Sequence, residues 1–91
     1  MDEQSAREAI VAAVRLLEDK GLNHNSAGNI SVRLGDGLLI TPAGGRSSWL
    51  TPKDIVHISL DGEVRGDGAP SSEWRFHTGI QKRRPEAQAV V

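Results

Sequence analysis

The fold of this chain is decided by residues 29–40, which read NISVRLGDGLLI. Two runs rich in branched apolar residues flank Gly35-Asp36-Gly37, and glycine and aspartate tolerate the positive φ angles that tight hairpin turns require. The pattern predicts two antiparallel strands, at 29–33 and 38–40, joined by this short turn.

Before the hairpin, residues 3–20 are predicted to form a helix. Apolar side chains recur there at three- and four-residue steps, which is the period of one buried helical face. The N-terminal cap is supplied either by Asp2 or by Ser5 paired with Glu8, and Gly21 stops the helix. The charged residues fall mostly on the opposite side and are interpreted as solvated: Arg7, Glu8, Arg15 and Glu18.

After the hairpin the chain continues as short strands and helical segments. These are predicted as a helical turn at 51–54, strands at 55–59 and 63–65 around the turn Asp61-Gly62, a helix at 72–84 and the opening of a strand at 89–91. Phe76 and Ile80, four residues apart, suggest the apolar side of the second helix, and Pro85 ends it. A strand that stops so early lacks most of its ladder, so residues 1–91 are predicted to be part of one larger α/β domain.

Composition narrows the class of protein. A net charge of −1 and a single short basic run, Lys82-Arg83-Arg84, argue against a nucleic-acid partner. No cysteine occurs, which excludes disulfides and thiolate zinc sites within these residues. No apolar run approaches the roughly 20 residues of a membrane span, and the acidic start is unlike a signal peptide. The sequence therefore predicts a cytoplasmic protein without a membrane or nucleic-acid partner.

Three segments combine small residues with hydroxyl or amide groups, at 25–29, 41–45 and 71–72. Glycine lets the main chain approach a ligand closely, and a helix N-terminus adds unpaired N–H donors that favour an anion such as phosphate. Taken singly, each segment is explained at least as well by an ordinary turn or helix cap.

Glu73 is the candidate general acid/base, because a carboxylate beside two serines at the start of a helix can be shielded from solvent and used for proton transfer. The competing interpretation is that it only stabilises the helix dipole. The three histidines, His24, His57 and His77, show no metal-ligand spacing. Trp49 and Trp74 are interpreted as core or interface residues.

An ordered series of motifs resembles the class II aldolase/adducin family. The motifs are GLN at 21–23, GNISVR at 28–33, LITPAG at 39–44, LTPKDIV at 50–56, PSSEW at 70–74, His77 and Arg84-Pro85. They cover almost the whole chain in the family's order and spacing. Residues 1–91 are thus identified as the N-terminal portion of a single class II aldolase/adducin domain.

This resemblance implies a three-layer α/β/α domain around a mixed, largely antiparallel sheet, assembled as a homotetramer with active sites between subunits. It implies a lyase that uses zinc or another divalent cation to cleave a phosphorylated ketose such as fuculose 1-phosphate. Family members often carry serine or threonine at position 43, so this chain lacks one hydroxyl contact. Glu73 is the expected acid/base, and the residues expected at the substrate phosphate are Gly28, Asn29, Ala43, Gly44, Ser71 and Ser72.

The resemblance also implies that the metal ligands lie outside these residues. The family's metal is held by a His-x-His pair expected just after Val91 and by a third histidine further downstream. The 91-residue chain alone is therefore predicted to be inactive. Three alternatives stay open: a sugar-phosphate dehydratase or epimerase on the same fold, a non-enzymatic adducin-like assembly domain, and a naturally short, degenerate protein. Glu73 favours an aldolase or dehydratase, because the epimerases are expected to carry aspartate there.

Overall fold

The computed structural model describes residues 2–21, 29–44 and 50–91. The elements in chain order are α1 (Glu3–Asp19), β1 (Ser31–Leu34), β2 (Gly37–Ile40), a one-turn 3-10 helix (Pro52–Asp54), β3 (Val56–Ser59), α2 (Trp74–Arg83) and β4 (Ala89–Val90). The predicted helices, the hairpin and the last strand are confirmed. Residues 63–65 do not form a strand, because only one bridge joins Val64 to Ile58 before glycine-rich turns resume.

The four strands form one antiparallel sheet in the order β3-β2-β1-β4. The β1–β2 register places Val32 opposite Leu39 and Ser31 opposite Ile40. Gly35 adopts a φ of 58° in the connecting turn, a conformation that glycine reaches without strain. Because β2 lies inside the sheet, its four residues are all buried.

Helix α1 covers one face of the sheet. Of the two predicted caps, Asp2 is the one used, and its carboxylate accepts the N–H of Ser5 at 2.7 Å. The predicted helical face packs with Leu39 from the sheet through Ala6, Ile10 and Val14. Val11, which the spacing did not predict, is also buried, whereas Ala9 of the predicted face is exposed.

The opposite face of the sheet carries a second apolar cluster. This cluster consists of Leu38, Ile40, Val56 and Ile58, and Trp74 at the start of α2 packs against it. Two faces covered by two helices make the three-layer α/β/α arrangement that the sequence predicts, here in a small antiparallel form.

Helix α2 exposes the face that its apolar residues predicted to be buried. Phe76 and Ile80 are 70% and 42% exposed, whereas His77, Thr78 and Gln81 are buried. The reason lies in the sheet, where β1 presents polar side chains to this helix. Ser31 bonds to His77, and the Arg33 guanidinium donates to the Gln81 side-chain oxygen at 3.2 Å.

Two arginines of α1 are structural, which corrects their interpretation as solvated charges. The Arg7 guanidinium donates to the carbonyl oxygens of Pro52 and Ile55, and that of Arg15 donates to the carbonyl of Leu50 at 2.9 Å. These bonds satisfy main-chain acceptors of a segment that has little secondary structure of its own. They fix the 50–55 segment against the helix.

The packing predicts a position where one methyl group destabilises the sheet. A Cβ added at Gly37 would lie 2.3 Å from the main-chain oxygen of Ile58 on the neighbouring strand. Gly37→Ala is therefore expected to lower the free energy of unfolding by about 1–3 kcal/mol in urea titrations. Gly79→Ala in α2 is the control, since the added methyl meets no described atom within 4 Å, and it should be neutral or stabilising. Equal losses in both variants would contradict this packing.

Candidate functional site

The described parts of the three candidate anion-binding segments meet around Thr41. The N–H of Thr41 donates to the carbonyl of Ile30 at 3.1 Å, and its buried hydroxyl accepts the Ile30 N–H at 3.3 Å. On its other side, the carbonyl of Thr41 accepts the N–H of Ser71 at 2.9 Å. Segments 29–30, 41–44 and 70–73 are thus held together by main-chain bonds at one end of the hairpin.

These bonds also decide which N–H groups are available to an anion. The N–H of Ala43 donates to the carbonyl of Ala69 at 3.0 Å, and that of Ser71 is used on Thr41. Neither amide is therefore free for a ligand. Within the ranges that the structure describes, the N–H groups of Gly44 and Ser72 have no backbone acceptor, and both residues are exposed. Gly44 has a φ of 64° and supplies the turn.

Ser71, Ser72 and Glu73 lead into α2. Ser71 is buried, and its hydroxyl oxygen accepts the N–H of Glu73 at 3.2 Å. The hydroxyl hydrogen of Ser71 stays available as a donor. Ser72 and Glu73 are exposed. The shielding expected around Glu73 is therefore not provided by the described residues.

Asn29 is placed beside this turn by a histidine. Its side-chain oxygen bonds to His77 Nε2, and His77 Nδ1 lies 2.7 Å from the hydroxyl of Ser31. His77 is 2% exposed, and Ser31 is fully buried. Desolvation lowers the pKa of His77, and the nearby charge of Glu73 opposes this shift. The other predicted phosphate residue of this segment, Gly28, lies outside the described residues, as do His24 and Trp49.

Sequence reasoning included Thr41 in the candidate segment 41–45 and Ser31 and His77 in the family motifs, but it did not predict that these three residues organise the site. A signal for two of them was present, because Ser31 begins the first strand of the hairpin and Thr41 directly follows the second, next to buried apolar residues. Such residues in a buried strand need hydrogen-bond partners. The partner of Ser31 comes from 46 positions away, and no local pattern indicates it.

A metal site is not formed by the described residues. No three histidine, cysteine, aspartate or glutamate side chains come together in the ranges 2–21, 29–44 and 50–91. His57 lies on β3 beside Arg65 and contributes nothing to the candidate site. Its pKa is lowered first by burial and second by the charge of Arg65. The residues present therefore supply anion donors and a carboxylate but no ligand set for a divalent cation.

Comparison with known proteins identifies the family of the chain. The Class II Aldolase and Adducin N-terminal domain matches residues 8–91, and the chain belongs to this family. It is 53% identical over 85 residues to a 5-methylthioribulose-1-phosphate/5-deoxyribulose-1-phosphate aldolase of Rhodospirillum rubrum, covering 93% of the chain and 38% of that relative. It is 51% identical over 71 residues to the L-fuculose phosphate aldolase of Escherichia coli K12, covering 78% and 33% respectively.

Two further matches extend the comparison. A methylthioribulose-1-phosphate dehydratase of Methylococcus capsulatus is 39% identical over 83 residues, covering 90% of the chain and 41% of that enzyme. The fold superposes on YgbL from Klebsiella pneumoniae with a TM-score of 0.92 and 33% identity, over 98% of the chain and 44% of that structure. The chain thus spans less than half the length of these relatives. None of the described helices is long and apolar enough to span a membrane.

Burial of His77 predicts a pH dependence of folding stability. Burial lowers the pKa of His77 below its usual 6.5, so the unfolded chain takes up a proton before the folded chain does. Stability is therefore fully present above pH 6.5 and is lost as the pH falls towards the lowered value. Urea titrations of wild type and His77→Gln at several pH values should show a shallower acid loss in the variant. His57→Gln is the second variant for comparison. Because the pKa of His57 is also lowered, its substitution should likewise make the acid loss of stability shallower. The same acid loss in all three proteins would contradict the assignment.

Proposed function

We propose that the intact protein carrying this chain is a metal-dependent lyase that cleaves a phosphorylated ketose, and that this chain supplies the phosphate-binding and acid/base residues. The observation that carries the proposal is the meeting of three separate segments around Thr41. Relatives named for 5-methylthioribulose 1-phosphate, 5-deoxyribulose 1-phosphate and fuculose phosphate support a substrate of this class. Fuculose 1-phosphate is one candidate.

The proposed phosphate site uses donors to which the described residues offer no backbone acceptor. These are the N–H groups of Gly44 and Ser72, the hydroxyls of Ser71 and Ser72, and the side-chain amide of Asn29. Gly28 completes the proposed set from outside the described residues. Ala43 donates no hydrogen bond to the proposed phosphate, because it has no hydroxyl and its N–H is bonded to the carbonyl of Ala69. Its bond to Ala69 holds the 41–44 turn in place. Donors fixed by other hydrogen bonds hold an oxyanion without having to reorganise.

Glu73 is proposed to move the protons. Cleavage of the carbon–carbon bond turns the adjacent hydroxyl into a carbonyl, so that hydroxyl must lose its proton, and the enediolate left behind must gain one. Glu73 follows Ser72 directly and can serve both transfers at a phosphate-anchored substrate. Its exposure in the single chain fits an active site completed by another subunit, as in the homotetramer that we propose.

The divalent cation, with zinc as the expected ion, is proposed to bind residues beyond this chain. Strand β4 supports this arrangement because it pairs Ala89 with Val32 and Val90 with Ser31, and so runs towards Asn29. A His-x-His pair following Val91 would enter the region beside the phosphate donors. The cation would supply positive charge for the developing oxyanion. A cytoplasmic location remains a prediction from sequence.

A dehydratase is the second candidate reaction, and the match to the Methylococcus capsulatus enzyme favours it. A non-enzymatic assembly role is the third, since the matching family also includes adducin. Sugar-phosphate epimerisation is less favoured, because Glu73 stands where an aspartate is expected in the epimerases.

Activity of the intact protein tests the proposal directly. We expect cleavage of 5-methylthioribulose 1-phosphate, 5-deoxyribulose 1-phosphate or fuculose 1-phosphate, loss of activity on chelation, and recovery with zinc. Residues 1–91 alone should show neither turnover nor stoichiometric metal. Release of water without carbon–carbon cleavage would identify the dehydratase instead. Absence of all turnover together with a stable assembly would favour the adducin-like role.

Substitution of the acid separates proton transfer from binding. Glu73→Gln keeps size and hydrogen-bonding capacity but cannot exchange a proton, so kcat should fall about 10²- to 10⁴-fold. Inhibition by inorganic phosphate should change little. Glu63→Gln, at another exposed acid, is the matched control and should retain wild-type kcat. A Glu73→Gln enzyme with undiminished kcat would remove Glu73 from the mechanism.

A further inference from the structure

A chain of three buried or half-buried polar side chains lies beneath the proposed phosphate site. Ser31 on β1 contacts one nitrogen of the His77 ring, and Asn29 contacts the other. Ser31 and His77 are shielded from water, so each polar atom depends on its partner in the protein. Neither Ser31 nor His77 is among the residues proposed to touch the phosphate.

The placement of the Asn29 side-chain oxygen at Nε2 favours one tautomer of the ring. The side-chain oxygen of Asn29 faces Nε2 and can only accept, so Nε2 carries the hydrogen. Burial disfavours the charged ring, so Nδ1 is unprotonated and accepts the hydroxyl hydrogen of Ser31. The order of donation is therefore Ser31 to His77 and His77 to Asn29.

This order determines what Asn29 offers to a ligand. With the Asn29 oxygen bonded to His77, the side-chain NH₂ group, which carries two donors, is not used on the ring. The reverse tautomer would bond the NH₂ group to the ring and leave an oxygen acceptor facing the ligand. An oxygen acceptor repels a phosphate, whereas N–H donors bind it.

We propose that His77 is a positioning residue for the substrate phosphate. Ser31 donates a hydrogen bond to Nδ1 and so keeps the hydrogen on Nε2. The Nε2–H group then holds the oxygen of Asn29, which leaves the NH₂ donors of Asn29 for the anion. This inference rests on the proposed function, because it assumes an anion at that site. It explains why α2 buries His77 while exposing Phe76. An apolar residue at position 77 would fill the space but would leave Asn29 free to rotate.

The first test reads the tautomer in the intact protein without reference to activity. Nitrogen-15 NMR of the His77 ring should show a protonated Nε2 and an unprotonated Nδ1 at neutral pH. The Ser31→Ala variant should lose this single-tautomer signature, because Nδ1 then has no donor. A protonated Nδ1 in the wild type would overturn the proposal whatever the enzyme's substrate.

The second test measures KM for the cleaved sugar phosphate and inhibition by inorganic phosphate. His77→Phe should raise KM and the inhibition constant about 10- to 100-fold, the effect of losing one hydrogen bond to a charged group, with a much smaller change in kcat. His77→Gln keeps an N–H donor on a side chain of similar reach and should recover much of the affinity. Ser31→Ala should lie between wild type and His77→Phe.

The matched control is Thr78→Val, since Thr78 is buried next to His77 and its hydroxyl donates within the helix, to the Arg75 carbonyl. This variant should leave KM unchanged even if it lowers stability. A double-mutant cycle with Asn29→Ala completes the design: His77→Phe should have little further effect once the Asn29 side chain is gone.

The outcomes separate this inference from the proposed function. If wild type cleaves a sugar phosphate but His77→Phe raises KM no more than Thr78→Val, the positioning role is wrong and the lyase stands. Additive effects of Asn29→Ala and His77→Phe would overturn it equally. If wild type binds no phosphate at all, the proposed function fails, and the inference resting on it fails too.

Discussion

The hydrogen bonds of Thr41 are the constraint on which the site depends. One residue bonds to Ile30 through both its N–H and its hydroxyl, and to Ser71 through its carbonyl. It therefore joins the end of the β1–β2 hairpin to the turn that leads into α2. Segments separated by about 30 positions in the sequence meet because a buried main chain must pair its polar groups. The position of Ser71 and Ser72 beside the hairpin follows from this pairing.

Much of the fold follows from local sequence rules. The spacing of Ile10 and Val14 gives α1 its buried face, and Gly35-Asp36-Gly37 gives the hairpin. The orientation of α2 does not follow, because it depends on what the facing strand offers. Period-based reasoning places Phe76 inward, yet the polar sheet surface at Ser31 accepts His77 instead. Tertiary hydrogen bonding thus overrides an apolar pattern when a buried polar group needs a partner.

The site could be anticipated only in part for a related reason. Small residues and serines indicate where a main chain can bind an anion, but not which N–H groups the fold consumes. The N–H groups of Ala43 and Ser71 donate to the carbonyls of Ala69 and Thr41. Those of Gly44 and Ser72 have no backbone acceptor among the described residues. The family resemblance predicts which residues lie at the phosphate, whereas the hydrogen bonds show which of their N–H groups are already used within the protein. The exposed sides of Glu73, Phe76 and Ile80 are surfaces that a single short chain leaves uncovered.

The bond between Ala43 and Ala69 separates backbone placement from side-chain chemistry at position 43. The loop is held by its amide, and the methyl group is exposed. Evolution can exchange this methyl for a hydroxyl-bearing side chain without moving the loop. At the proposed phosphate site, one substitution can therefore add or remove an anion contact while the backbone around it keeps its place.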